Sequence, residues 1–291
     1  TALALAARLP DLLVAAKRIA ANVMLGVHGR RHPGPGETFW QFRPYGSGEP
    51  VRQIDWRRSA RDDHLYVRER EWEASQTVWL WADLSPSMHF RSKLTPVSKD
   101  HRAIVLTLAL GDLLAAAGER IGLLGASDPI LARNAADRLA ATLATAAPAT
   151  THRPDPRALR RFSDVVLFSD FLDPAAEVEA TLDAILRTGA RAHLVQVIDP
   201  IEETFPYAGR TEFIDPESGA RHVVGRAEQY RDDYHARLAA LRQRLQTIAR
   251  RLDWSFLVHR TDRPATEPLL ALHARLADRQ NSLGLNAGRA A

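Results

Sequence analysis

The chain has 291 residues, 45% of them hydrophobic, which is enough for one large domain or two ordinary ones with a real core. The absence of cysteine excludes disulfides, thiolate metal sites and a cysteine nucleophile. The net charge is +4 at pH 7, but acidic and basic residues are interspersed, so we expect salt-bridged surfaces and no nucleic-acid binding. No apolar stretch reaches the roughly 20 residues of a membrane-spanning helix.

The N-terminal part of the chain contains a predicted helix and a region of short strands. Residues 2–24 are rich in alanine and leucine with charges at intervals, which predicts an amphipathic helix, within a segment 1–28, that packs on its own domain. A loop rich in proline and glycine follows. Three stretches then show strand-like alternation: residues 38–45, 51–56 and 65–71. We therefore expect a small β-rich module over residues 29–75, either separate or joined to the main sheet.

Strand-like and helix-like segments alternate from residue 77 onward. The predicted strands are residues 77–83, 120–124, 164–168, 191–198 and 254–259. The predicted helices are residues 99–117, 134–146, 174–188, 226–252 and 266–278. This alternation is typical of an α/β domain with a mainly parallel sheet and helices on both faces, here residues 76–279. A β-hairpin with strands 211–214 and 221–224 is predicted in an insertion at 204–224, and residues 280–291 are predicted to form a loose tail.

The most informative stretch is the end of the first of these strands, where Asp83, Ser85 and Ser87 follow a short, bulky apolar run. A buried parallel strand would place all three on a loop at the carboxyl edge of the sheet, where open α/β sheets bind ligands. One carboxylate and two hydroxyls suit Mg²⁺ or another hard divalent cation. The same side chains would also satisfy the amide groups of a turn and a helix start, which is a purely structural role.

Further polar side chains are expected at the same edge of the sheet. The third strand ends at Asp170, and Thr150 and Thr151 lie on the loop that leads into it. The order Asp-x-Ser-x-Ser, Thr, Asp resembles the metal-ion-dependent adhesion site of von Willebrand factor A domains. That resemblance implies a von Willebrand A-like fold and an ion open to an acidic side chain from a partner. The implied ion is Mg²⁺, Mn²⁺ or Ca²⁺, and its implied ligands are Asp83, Ser85, Ser87, Asp170 and either Thr150 or Thr151.

The segment before the first strand resembles the signature of the domain-of-unknown-function 58 family. The matching groups are Gly36-Glu37-Thr38-Phe39, Arg43-Pro44-Tyr45, Gly48-Glu49, Arg52-Gln53-Ile54-Asp55-Trp56, Ala60-Arg61 and Leu65-Tyr66-Val67-Arg68-Glu69, with Ser87-Met88 after the strand. Glu49 departs from the family's usual Asp, and Ala147-Pro148-Ala149 replaces a glycine-rich lead-in to the threonine. The resemblance implies an adaptor that works with a MoxR-type AAA+ ATPase in complex assembly or chaperoning. From the absence of cysteine and of a membrane-spanning stretch we expect a cytoplasmic location, with any membrane contact made through a partner.

No nucleophile–base pair and no phosphate-binding loop accompanies the motif, so we expect a non-enzymatic binding module. One alternative is a Mg²⁺-dependent phosphohydrolase with Asp83 as nucleophile, although Ser85 stands where such enzymes commonly have a second acid. The other alternative concerns an arginine-rich cluster, which could bind an anion, nucleic acid or a partner, or could equally be a buried ion-pair network under the β-rich module. The members of that cluster are Arg43, Arg52, Asp55 and Arg61.

Overall fold

A computed structural model describes residues 2–28, 39–44, 56–61, 64–70, 77–145 and 153–287. The chain divides into two compact units, Val27–Ser75 and Thr1–Gly26 with Gln76–Ala291.

The smaller unit contains a two-stranded antiparallel sheet. Strands β1 (Phe39–Pro44) and β2 (Tyr66–Arg70) pair with each other, which confirms the strand predictions at 38–45 and 65–71. The middle prediction at 51–56 lies mostly outside the described residues. Its last residue, Trp56, begins a short helix, α2 (Trp56–Ser59), because the carbonyl of Trp56 accepts a helical hydrogen bond from the amide of Ala60 at 3.0 Å.

The larger unit is built on a parallel sheet. Its strands are β3 (Thr77–Ala82), β4 (Arg120–Leu123), β5 (Asp164–Ser169), β6 (Arg191–Ile198) and β9 (Ser255–Arg260). In the part of this unit that the structure describes, these five strands run parallel in the order β4-β3-β5-β6-β9. Every residue of β5 is buried, since helices cover the sheet on both sides, and its sequence is correspondingly a continuous apolar run between two polar ends.

Helices cover both faces of this sheet. They are α1 (Ala2–His28), α3 (Lys99–Ala116), α4 (Ala135–Thr145), α5 (Ala175–Arg187), α6 (Pro200–Thr204), α7 (Arg231–Arg251) and α8 (Thr266–Ala287). On one face, Val165 of the sheet belongs to a buried cluster with Leu182 of α5 and Leu245 of α7. On the other face, Gly111 of α3 lies against Leu80 of β3 and a leucine of α4. The predicted α/β class is confirmed.

The N-terminal helix packs on its own unit, as its amphipathic pattern predicts. Its buried side chains recur at helical spacing: Leu9, Leu12, Ala16, Ala20 and Val23. Two ion pairs join its polar side to the α3 and α4 helices, Arg8 with Asp100 at 3.2 Å and Lys17 with Asp137 at 2.8 Å. Among the residues that the structure describes, no helix is both long enough and apolar enough to cross a membrane.

Three helix boundaries and one complete helix differ from the sequence-based expectations. The first helix continues to His28, beyond the predicted end at residue 24. The last helix continues to Ala287, into the expected loose tail, because the added residues contain no proline and each extends the helix by one hydrogen bond. A 3₁₀ turn, Ala227–Tyr230, replaces the first turn of the predicted 226–252 helix. The short α6 was not predicted at all.

The predicted β-hairpin is confirmed. Strands β7 (Thr211–Ile214) and β8 (Arg221–Val224) pair antiparallel with the expected bounds. Phe213 of β7 anchors the hairpin, since its ring stacks on that of Phe205 at a centroid distance of 5.9 Å and meets the ring of Tyr207 edge-on at 5.3 Å.

Candidate functional site

Asp83 connects the ends of two neighbouring strands. Its amide donates to the carbonyl of Phe168 at 2.9 Å, so the β3–β5 ladder continues one residue beyond β3. Its Oδ1 accepts a hydrogen bond from the amide of Ser85 at 2.9 Å, and its Oδ2 accepts one from the Ser169 hydroxyl at 2.7 Å. Asp83 is only 2% exposed. The carboxylate is therefore fixed at the carboxyl edge of the sheet, where the sequence predicted it.

The two serines after Asp83 lie side by side. The Oγ atoms of Ser85 and Ser87 are 3.1 Å apart, on a loop that passes into a 3₁₀ turn, Pro86–His89. Two neighbouring ligand oxygens on an octahedral Mg²⁺, each about 2.1 Å from the metal, would be separated by about 3 Å. The spacing of these hydroxyls therefore fits two adjacent positions on a divalent cation.

Asp170 forms a buried ion pair that the sequence did not predict. Its Oδ2 accepts a hydrogen bond from Nζ of Lys99 at 2.8 Å, and its Oδ1 accepts one from the Leu172 amide at 3.1 Å. The same ammonium donates to Oε1 of Glu202 at 2.5 Å, and Lys99 is 1% exposed. The predicted ligand Asp170 is thus already paired with a cationic group of its own chain.

Burial and charge shift the protonation equilibria at this edge. Burial raises the pKa of Asp83, against the hydrogen bonds from Ser85 and Ser169, and the nearby charge of Asp170 raises it further. Burial alone would lower the pKa of Lys99, but Asp170 and Glu202 outweigh it and the pKa is raised. Lys99 therefore keeps its positive charge, whereas Asp83 carries a charge that its surroundings disfavour.

A hydrogen-bond network links the strand ends around this pair. Glu202 and Asp199 form a capping box at the start of α6. The Oδ2 atom of Asp199 accepts a hydrogen bond from the amide of Ser92, in the loop after β3, at 2.8 Å. The side-chain amide of Gln196, on β6, donates to the carbonyl of Asp170 at 2.9 Å. Residues from three strand ends are therefore held in fixed positions relative to one another.

A strained residue follows Asp170. Phe171 has a φ of 54°, in the left-handed region that non-glycine residues rarely adopt and that costs about 1–2 kcal/mol. Its amide donates to the Ser169 hydroxyl at 3.1 Å, and its side chain belongs to the buried core cluster. Core packing thus offsets the strain and fixes the turn that carries Asp170.

The hairpin adds an acidic side chain to this edge. The Oε1 atom of Glu217, in the loop between β7 and β8, accepts a hydrogen bond from the amide of Ser87 at 3.0 Å. The sequence assigned Glu217 only to a hairpin loop, and no local pattern relates it to a serine 130 residues away.

The structure brings together four of the predicted site residues, Asp83, Ser85, Ser87 and Asp170. Thr150 and Thr151 lie outside the described residues, as do Arg52 and Asp55 and the side chain of Arg43. Arg61 is exposed. In the described ranges, no group of three or more His, Cys, Asp or Glu side chains could hold a metal ion, so any cation here would depend on hydroxyl ligands as well as carboxylates.

Comparisons with known proteins place the chain in one family. The family model described as "Protein of unknown function DUF58" matches residues 41–244. The uncharacterized proteins Mb1516 of Mycobacterium bovis and Rv1480 of Mycobacterium tuberculosis are each 29% identical to it in an alignment 282 residues long, which covers 89% of this chain and 86% of theirs.

Two solved structures have a more distant likeness. One is the conserved hypothetical protein BatB from Bacteroides thetaiotaomicron, with a TM-score of 0.40, 12% identity, and coverage of 70% of this chain and 100% of that chain. The other is an aerotolerance-related membrane protein from Bacteroides fragilis, with a TM-score of 0.41, 13% identity and the same coverage. The extent of the family match decides the assignment: this chain belongs to the DUF58 family, whose function is unknown.

Proposed function

We propose that this protein is a non-enzymatic protein-interaction module that depends on a divalent cation. The observation that carries the proposal is the convergence of Asp83, Ser85 and Ser87 at the end of β3, with the two hydroxyls 3.1 Å apart. A buried carboxylate beside two hydroxyls is a hard oxygen donor set. The charge of Asp83 is disfavoured by burial, and a bound cation would offset that cost.

The residues divide into direct and indirect ligands of such a cation. Asp83, Ser85 and Ser87 would hold it directly, with Thr150 or Thr151 supplying a further hydroxyl. Asp170 already accepts hydrogen bonds from Lys99 and Leu172, so it would act through a water molecule. Mg²⁺ or Mn²⁺ would supply a positive centre with an open position for an acidic side chain of a partner protein.

Family membership suggests the kind of partner. The resemblance of this chain to its family implies a MoxR-type AAA+ ATPase, with the chain as a cytoplasmic adaptor in complex assembly or chaperoning. Pull-down of such an ATPase with the purified chain, with and without a chelator, tests this part of the proposal. Capture that the chelator does not change would argue against a cation-dependent interface.

The geometry gives less support to the alternative of an Asp83-dependent phosphohydrolase. Asp83 is 2% exposed and both its carboxylate oxygens accept hydrogen bonds, whereas a nucleophile must reach its substrate. Ser85 also occupies the position of the usual second acid.

Calorimetric titration with Mg²⁺ and Mn²⁺ tests the cation site directly. We expect the wild type to bind, and Asp83→Asn to lose binding, because Asn keeps the shape and the hydrogen bond from Ser85 but not the charge. Asp183→Asn, which removes an exposed carboxylate from α5, is the matched control and should bind as the wild type does. No binding by the wild type, or equal binding by Asp83→Asn, would refute the cation site.

A further inference from the structure

Lys99 lies where two general preferences disfavour a lysine. It is the first residue of α3, and the dipole of a helix favours negative charge at that end. Its side chain is 1% exposed, although burial disfavours a charged ammonium. Residues that depart from such local preferences concentrate at functional sites. Lys99 is therefore a candidate for a role in the site as well as in the helix.

The position of Lys99 is tied to the loop that carries the proposed ligands. Its backbone amide donates to the carbonyl of Phe90 at 3.2 Å, and its Nζ atom lies 5.8 Å from the centre of the Phe90 ring. Phe90 directly follows the 3₁₀ turn Pro86–His89, which contains the proposed ligand Ser87. The start of α3 and the candidate cation loop are thus held together, with the ammonium beside them.

The ammonium supplies one positive charge to two carboxylates. Nζ donates to Oδ2 of Asp170 at 2.8 Å and to Oε1 of Glu202 at 2.5 Å, so these three side chains together carry one negative charge. The charge of Asp170 acts on Asp83: burial raises the pKa of Asp83 most, and Asp170 raises it further. Lys99 therefore halves the negative charge that the two carboxylates present to a cation at Asp83.

We propose that Lys99 limits the cation affinity of the candidate site, so that a cation binds tightly only when a partner adds its own carboxylate. This inference rests on the proposed cation site and adds to it the residue that couples cation binding to partner binding. With Lys99 in place, the carboxylates of the chain neutralise the cation less fully, and the cation attracts an acidic side chain of a partner more strongly. Without Lys99, Asp170 and Glu202 would take over part of that role.

Calorimetric titration of the full chain with Mn²⁺ tests the effect of Lys99 on affinity. Lys99→Met adds one unit of negative charge near the cation. At a separation of about 10 Å and an effective dielectric constant of about 40, a unit charge changes the affinity for a divalent cation by at least about tenfold. We therefore expect Lys99→Met to bind Mn²⁺ at least about tenfold more tightly than the wild type. A lysine that only supported the fold would have the opposite effect, because its loss would loosen the site.

A second pair of variants tests the same effect in a protein with fewer unpaired charges. Asp170→Asn leaves Lys99 with Glu202 alone, and Lys99→Met added to Asp170→Asn leaves only Glu202 unpaired. The double variant should therefore bind Mn²⁺ more tightly than Asp170→Asn does. Circular dichroism establishes that each variant is folded, and if Lys99→Met alone fails to fold, this second comparison decides.

The matched control is Lys17→Met. It removes an ammonium from an exposed ion pair, in which Nζ of Lys17 lies 2.8 Å from Oδ2 of Asp137 on α4. Like Lys99→Met, it leaves a carboxylate without its partner, but on the surface between two helices. We expect it to bind Mn²⁺ as the wild type does, and an equal gain in affinity there would overturn a specific role of Lys99.

Acetate serves as the probe for the carboxylate of a partner. We expect acetate to raise the Mn²⁺ affinity of the wild type relative to chloride at equal ionic strength, because the cation attracts a further carboxylate. The gain should be smaller in Lys99→Met, where the carboxylates of the chain already neutralise the cation more fully. An equal acetate effect in both proteins would overturn the inference.

The outcomes separate the two proposals. Unchanged or weaker Mn²⁺ binding on loss of Lys99 in a folded protein, together with loss of binding in Asp83→Asn, overturns the role of Lys99 and leaves the cation site in place. Absence of Mn²⁺ binding in the wild type overturns both proposals. Tighter binding on loss of Lys99 but not of Lys17, with a smaller acetate effect, supports both.

Discussion

Replacement of Lys99 by methionine tests how the acidic edge of the sheet is stabilised. Methionine fills most of the same volume but cannot donate hydrogen bonds, so Asp170 and Glu202 would lose the ammonium that lies 2.8 Å and 2.5 Å from their oxygens. Lys99 is 1% exposed, so water cannot readily replace it. Both carboxylates would be left with an uncompensated charge in a buried site.

The expected loss of stability follows from these two contacts. A hydrogen bond to a charged group contributes about 1.5–3 kcal/mol, and there are two of them. Removal of one partner from a buried ion pair typically costs about 3–5 kcal/mol. We therefore expect Lys99→Met to lower the free energy of unfolding by about 3–5 kcal/mol, a large fraction of the stability of an ordinary domain.

Urea unfolding at pH 7.5, followed by circular dichroism, measures this loss. The matched control is Lys93→Met, which removes an exposed lysine from the preceding loop and should change stability by about 0.5 kcal/mol or less. Asp170→Asn added to Lys99→Met should recover at least about 1 kcal/mol, since it removes one of the unpaired charges. A Lys99→Met protein as stable as the Lys93→Met control would refute the reasoning.

Three further predictions concern other parts of the larger unit. Burial lowers the pKa of His259 to about 3, so the unfolded state, with a pKa near 6.5, binds the proton first as pH falls. The wild type should therefore lose about 2 kcal/mol more stability between pH 8 and pH 5 than His259→Gln does, measured by urea unfolding at each pH. Gly122→Ala would place a Cβ 2.7 Å from the ring of Trp79, and we expect it to lower stability by about 1–3 kcal/mol in the same assay. Phe213→Ala removes the aromatic anchor of the hairpin, which should speed amide exchange at Gly219 about fivefold, for a loss of about 1 kcal/mol in local opening free energy.

Each of these predictions has a control of the same chemical type. His222→Gln replaces an exposed hairpin histidine and should keep the wild-type pH dependence. If His259→Gln lost as much stability between pH 8 and pH 5 as the wild type does, the first prediction would be contradicted. Gly225→Ala adds a methyl group in open space, and an equal cost there and at Gly122 would contradict the second. Ile214→Ala removes an exposed side chain from β7, the strand that carries Phe213. If it accelerated amide exchange at Gly219 as much as Phe213→Ala does, the third prediction would be contradicted.

The sequence predicted the parts of the site that depend on local pattern. Asp83, Ser85 and Ser87 follow a buried strand with a spacing that a single loop determines, and parallel strands bring Asp170 to the same edge. Lys99 and Glu217 were missed because their contacts span 71 and 130 residues and depend on how helix α3 and the hairpin pack. Lys99 is one of only three lysines, but that rarity alone does not indicate burial.

Helix α6, which was not predicted, has a local sequence signal. Asp199-Pro200-Ile201-Glu202 has an N-cap acceptor, a proline at the first helical position and a glutamate at the third, which is a capping-box pattern. Its five residues are too few to show helical periodicity, so hydrophobic spacing could not reveal it. The long helix α7, with three buried side chains at helical spacing, was by contrast predictable.

The left-handed conformation of Phe171 makes a core residue responsible for the orientation of Asp170. Its buried ring offsets the backbone strain and so contributes to holding the turn in place. In a mutational scan scored by partner binding, substitutions at position 171 would therefore score with the site residues, although its side chain lies in the core. If the candidate site binds a partner, mutations that weaken binding would therefore include some at buried hydrophobic positions, which act through the conformation of the site and make no contact with the partner.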